Sequence, residues 1–160
     1  MTKEVTHTAF WDSLEGVIAG MLSVDQTRPV PMSHYVDREA NALWFITAKG
    51  TVIEEALRGG PQSARHIVAS QKGEIYATID GLATLVEDRA KLDEIWSVVS
   101  AAWFEDGKQD DDIALVRFDV NEAEIWETGG SLKFLFEIAK ANITGEKPDA
   151  GSHGRLQFAA

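Results

Sequence analysis

The chain has 160 residues, the size of one ordinary domain, and by surface scaling it can bury roughly 70% of its unfolded surface in a single core. It contains no cysteine, which excludes disulfides, thiolate metal ligands and thiol nucleophiles. A formal net charge of -11 works against a phosphate-backbone partner, whose binding rests on clustered Lys and Arg.

The first twenty residues, with early acids and no long apolar run, do not read as a signal peptide. No segment approaches the roughly 20 apolar residues of a membrane-spanning helix. The expectation is a cytoplasmic protein with neither a nucleic-acid nor a membrane partner. From Thr8 to Gly20, Phe10, Trp11, Leu14, Val17 and Ile18 recur at helical spacing, with Thr8 as N-cap and Gly20 as stop. Three β-like runs follow, GMLSVD, PVPMSHYV and NALWFITA, separated by turn-rich pieces. In the second, Val30, Met32, His34 and Val36 fall on one face, and Pro29 and Pro31 confine it to an edge, a bulge or a strand start.

Thr51 to Glu54 has capping-box spacing and opens a short helix that Gly59-Gly60-Pro61 ends. ARHIVASQ and EIYATIDGLATLVE read as an antiparallel pair around Lys72-Gly73, with a bend or bulge at Gly81. Asp88 caps a long helix whose stripe is Leu92, Ile95, Trp96 and Val99, ending near Trp103-Phe104. After an acidic loop, IALVRFDV and EAEIWET give two more strand-like runs. Ser131 then caps a helix with Leu132, Leu135, Phe136 and Ala139 on one face. The Gly- and Pro-rich stretch 146–160 predicts a flexible tail behind a domain spanning 1–145. About six strands without the long spacing of βαβ units predict an α+β domain, an antiparallel barrel or sandwich with flanking helices.

Few residues announce chemistry. Lys49-Gly50-Thr51 echoes the end of a Walker loop but lacks its upstream glycine, and the acidic run from Glu105 to Asp112 lacks EF-hand spacing. His7, His34, His66 and His153 show no paired metal spacing, and His34 reads as a satisfied strand histidine. On the residues alone, Lys49 and Thr51 serve equally as a solvated turn with a helix cap or as part of an anion cradle. Residues such as Met32 and Trp103 are more often core residues than ligand contacts, and for Trp103 the two readings stand about even.

The order of elements, with PVPMSHY, NALWFITAKGT and above all AAWFEDGKQDDDIALVRFDVNEAEIWE, resembles the general stress protein branch of the pyridoxamine phosphate oxidase-related family. The resemblance runs from about Phe10 to the helix after Gly130. It implies an antiparallel split β-barrel that forms a homodimer, with FMN in a groove built by both subunits. Carried over residue by residue, Pro31, Met32 and Ser33 match the stretch along the isoalloxazine ring, Thr47, Lys49 and Thr51 match the phosphate-facing positions, and Trp103 approaches from the partner chain. Charge-assisted donors to a phosphate are each worth roughly 1.5–3 kcal/mol, so reversing Lys49 to Glu is expected to weaken FMN binding. Val30 and Ile53 stand where the branch carries cations, and the carboxy-terminal arginine motif of true pyridoxamine phosphate oxidases is missing, which disfavours vitamin B6 oxidation. The function implied is a flavin-dependent oxidoreductase of the stress response, with a nicotinamide as a possible electron donor. The alternative is a non-catalytic flavin-binding or cofactor-free sensor module.

Overall fold

The structure, a computed structural model, describes residues 5–70, 72, 74–127, 130–147 and 151–158, without the side chains of 98, 99 and 130–135. Gly73 and the side chains of Val99, Ser131, Leu132 and Leu135, for which roles were expected, lie outside the described residues. Among the described residues no helix is long and apolar enough to cross a membrane.

Helix α1, His7–Glu15, buries Phe10, Trp11 and Leu14. Thr6, not Thr8, is its cap, the Thr6 hydroxyl accepting from the Ala9 amide at 3.1 Å. The helix ends before Gly20, which belongs to β1, Ala19–Val24. The run PVPMSHYVD divides at His34 into β2, Val30–Ser33, and β3, Tyr35–Asp37. Then come β4, Ala42–Ala48, and α2, Val52–Leu57, capped by Thr51. They are followed by β5, Gln62–Ser70, β6, Ile75–Val86, and β7, Ile113–Glu127.

All pairings are antiparallel, in the order β2-β1-β5-β6-β7-β4-β3. The first and last strands of that order are consecutive in sequence, so one segment pairs with β1 through one half and with β4 through the other. The proline-rich segment is an edge at both ends, as the missing amide donors require. A sheet whose two edges are joined at one residue must curl, and the product is an α+β split barrel. At Gly81 the β6–β7 register shifts, and a Cβ there would strike the Asp119 carbonyl oxygen. The bulge foreseen at this glycine therefore places two backbones in close contact and bends the longest strands.

The interior is filled by Phe45, Phe118, Leu22, Leu43, Ile79 and Ile125, all below 2% exposed. At roughly 25 cal/mol per Å² of apolar surface, this layer and the face of α1 dominate the stabilisation. A second cluster, Trp44, Leu92 and Leu115, lies under α3, Arg89–Ile95, and includes Tyr35, Ile46 and Trp96 at its margin. The Trp44 ring has Lys91 Nζ at 5.3 Å and the Arg117 guanidinium at 5.6 Å from its centre.

Four further expectations are corrected. The long helix after Asp88 breaks at Trp96-Ser97, because the Ser97 hydroxyl caps a new helix, α4, Val98–Trp103. The two runs after the acidic loop form the single strand β7, which holds β6 along its length, β4 at its start and, at its end, β8, Ser152–Gln157. That eighth strand runs through the stretch expected to be a flexible tail, and the described residues form eight strands where about six were expected. Phe158 explains why its segment is held: 7% exposed, it meets Phe10 at 5.6 Å and Trp11 at 5.4 Å between ring centres. Between α4 and β7 lies the 3-10 turn Gly107–Gln109, and α5 spans Gly130–Thr144, with Phe136 on it 65% exposed.

Candidate functional site

Where β2, β3 and the end of β4 approach α4, they leave a cavity of about 480 Å³, within the range that small-molecule sites occupy. Pro31, Met32 and Ser33 line it from β2, Tyr35 from β3, Ile46, Thr47 and Ala48 from β4, Thr51 from the turn beyond, and Ser100, Trp103 and Phe104 from α4 and its end. Six of the seven residues singled out in the sequence therefore meet in one cavity. Apart from the indole N–H of Trp103, the polar groups on these side chains are hydroxyls.

The turn after β4 is built by Thr51. Its hydroxyl donates to the Ala48 carbonyl at 2.8 Å, accepts from the Glu54 amide at 3.4 Å and lies 3.0 Å from the Thr47 hydroxyl. Gly50 closes the turn with φ of 84°, a conformation that costs glycine little. Lys49 stands apart from its two expected companions. Its side chain is exposed and outside the cavity lining, while its amide donates to the Asp112 carbonyl at 2.8 Å. Val30 packs against the core and Ile53 is 1% exposed, so the side chains at the two normally cationic positions serve packing. Arg58 is committed to Glu54, with Nε donating to its two oxygens at 3.1 and 2.7 Å.

Trp103 lines the cavity of its own chain and is 80% exposed at the rim. α4 is tied down through its cap residue Ser97 and through Ser100. Tyr35 Oη lies 3.2 Å from Ser97 Oγ and 3.4 Å from Ser100 Oγ, those two oxygens are 3.2 Å apart, and Ser100 is buried.

Behind the cavity wall lies a pair that the sequence does not reveal. His34 sits between Ser33 and Tyr35 and turns inward, placing Nδ1 3.0 Å from His66 Nε2 and Nε2 3.1 Å from the Leu14 carbonyl. A carbonyl only accepts, so in the neutral pair His34 Nε2 carries hydrogen, His34 Nδ1 accepts from His66 Nε2, and His66 Nδ1 is left bare. That last atom is buried without a partner. Burial, then the neighbouring His34, pushes His66 down to about 3. Burial also lowers His34, with backbone hydrogen bonds at Leu14 and Val17 pulling weakly the other way. Gly20 makes room for the pair: a Cβ there would lie 2.7 Å from His66 Nε2. These histidines are 32 positions apart, and only the curl of the sheet joins them.

A split barrel with a hydroxyl-lined cavity beside its closing strand defines the structural class. Within that class, the profile described as Pyridoxamine 5'-phosphate oxidase like matches residues 6–149, and the chain belongs to that family. A structure from Jannaschia sp. CCS1, assigned provisionally as general stress protein 26, is 44% identical with a TM-score of 0.87, covering 95% of this chain and 98% of its own. The general stress FMN/FAD binding protein of Xanthomonas citri is 30% identical with a TM-score of 0.70, covering 81% of this chain and 93% of its own. A Xanthomonas campestris pv. campestris structure, assigned provisionally to the general stress family, is 29% identical with a TM-score of 0.66, covering 76% and 86%. No curated protein matches the chain.

Proposed function

We propose that the chain binds a flavin in the cavity beside β2, FMN being the form its family resemblance implies, and that it acts in the cytoplasm as a homodimeric general stress protein. The observation that carries the reading is the convergence of Pro31, Met32, Ser33, Thr47, Thr51 and Trp103 on one cavity of about 480 Å³. Its apolar atoms suit a flat ring, and its hydroxyls suit the polar edges of such a ring. A bound flavin supplies redox chemistry, while the protein's residues orient it and exclude water. On this reading the protein is an oxidoreductase, for which a nicotinamide is a suitable donor. The homodimer is supported by a band of exposed apolar residues on the outer sheet face. Met21 is paired with Ile67, and Tyr76 with Trp126, each about 40% exposed. The band borders the cavity, because Pro31 pairs with Met21.

Freshly purified protein is expected to absorb between about 350 and 500 nm, or to gain stability when flavin is added. A ligand at 100 times its Kd contributes about 2.7 kcal/mol. A colourless protein whose Tm ignores excess flavin would end the proposal. One observation favours a second reading, a flavin-binding module without turnover: no carboxylate or histidine is among the described lining residues. Steady consumption of a nicotinamide by the flavin-loaded protein separates the two.

A further inference from the structure

We propose that the cavity recognises flavin by its neutral ring, through the hydroxyls of Tyr35 and Ser100, and draws little affinity from the phosphate, so that riboflavin and FMN bind comparably. The inference rests on the flavin reading above and specifies the ligand chemistry of that site.

The threonine corner is already satisfied. Thr51 has one hydroxyl proton, and the Ala48 carbonyl at 2.8 Å takes it. The Thr47–Thr51 contact at 3.0 Å must then use the Thr47 proton. From these two hydroxyls an arriving anion gains a donor only by breaking a bond inside the protein, which leaves a small net gain. The charge nearby is also balanced. Glu54 is 5% exposed in the first turn of α2, and its carboxylate holds Arg58 Nε at 2.7 Å. Lys49 remains on the exposed side of the turn.

The opposite wall is different. Tyr35, Ser97 and Ser100 form a triangle of hydroxyls at 3.2, 3.4 and 3.2 Å, and Tyr35 and Ser100 line the cavity. Ser97 is fixed by accepting from the Ser100 amide at 3.2 Å. Within the triangle the protons can rearrange, because each hydroxyl can donate or accept. Tyr35 or Ser100 can therefore give a proton to a ligand carbonyl or accept one from a ligand N–H while keeping a protein partner. A heterocycle edge that alternates carbonyl and N–H matches this wall. One neutral hydrogen bond changes affinity about three- to tenfold, whereas one charge-assisted phosphate bond would separate FMN from riboflavin by more than about tenfold.

The test is fluorescence titration of the full chain with riboflavin and with FMN, repeated for Tyr35→Phe, Ser100→Ala and Lys49→Glu, each first shown to be folded by circular dichroism. The two affinities are expected to lie within about tenfold of each other in the native protein and in Lys49→Glu. Tyr35→Phe or Ser100→Ala is expected to lower both about threefold or more, in parallel. A larger preference for FMN, selective loss of FMN in Lys49→Glu, or unchanged affinities in both hydroxyl variants would overturn the inference and leave the flavin reading standing. Failure of the native protein to bind either compound would remove both.

Discussion

The finest control in this molecule sits at His34, the residue at which one strand segment passes from one sheet edge to the other. Its neutral pairing with His66 fixes a hydrogen-bond chain from the Leu14 carbonyl to an unpartnered nitrogen in the core. Both histidines are held below their ordinary value of 6.5; for His66, pushed down to about 3, the unfolded chain binds between about 6.5 and 3 a proton that the folded chain refuses, and His34 acts in the same direction. Stability is therefore full above about pH 6.5 and falls on acidification, by up to roughly 1.4 kcal/mol per pH unit for each histidine. Between about pH 7 and 5, above the ordinary carboxylate range, Tm is expected to decline in the native protein and to decline less steeply in His66→Leu. Parallel curves would show that His66 does not govern the slope. Residue chemistry of this kind was only half legible in the sequence. His34 reads as a satisfied strand histidine; it is satisfied, but at the break between β2 and β3, and no spacing rule links it to a partner 32 positions away.

At the scale of elements, periodicity was informative wherever one face of a segment is buried. α1, β5 and β6 announce themselves by the alternation that burial imposes. It was misleading where side-chain caps or distant partners decide. Ser97 breaks an otherwise continuous helical stripe. SHGRLQ carries too little apolar character to read as a strand, yet β7 gives it a ladder and Leu156 a place in the core. The cavity was legible because the family resemblance supplied it, except for Lys49, whose side-chain direction a turn does not encode. β8 gives a further prediction: Phe158→Ala should cost about 3–5 kcal/mol and lower Tm by roughly 10 °C. A melting curve within a degree or two of the native one would mean that the segment is held without contributing.

For the molecule as a whole, the homodimer proposed above turns on the outer sheet face. Replacing Ile67, which faces Met21 and Thr78 across the ladder, with Glu is expected to leave the fold intact and to shift sedimentation from dimer to monomer. If native protein already sediments as a monomer at micromolar concentration, the two-subunit groove is removed. The same architecture sets a timetable for synthesis. His7 contacts the carbonyl of Gln157, 150 positions later, and Phe158 closes over Phe10 and Trp11. Translation at about 5–20 residues per second brings these partners together only after roughly eight to thirty seconds. Throughout that interval the aromatic face of α1 lacks its Phe158 cover, although β3 and the early core can already pack against the helix. Ribosome-associated chaperones would be expected to bind there first.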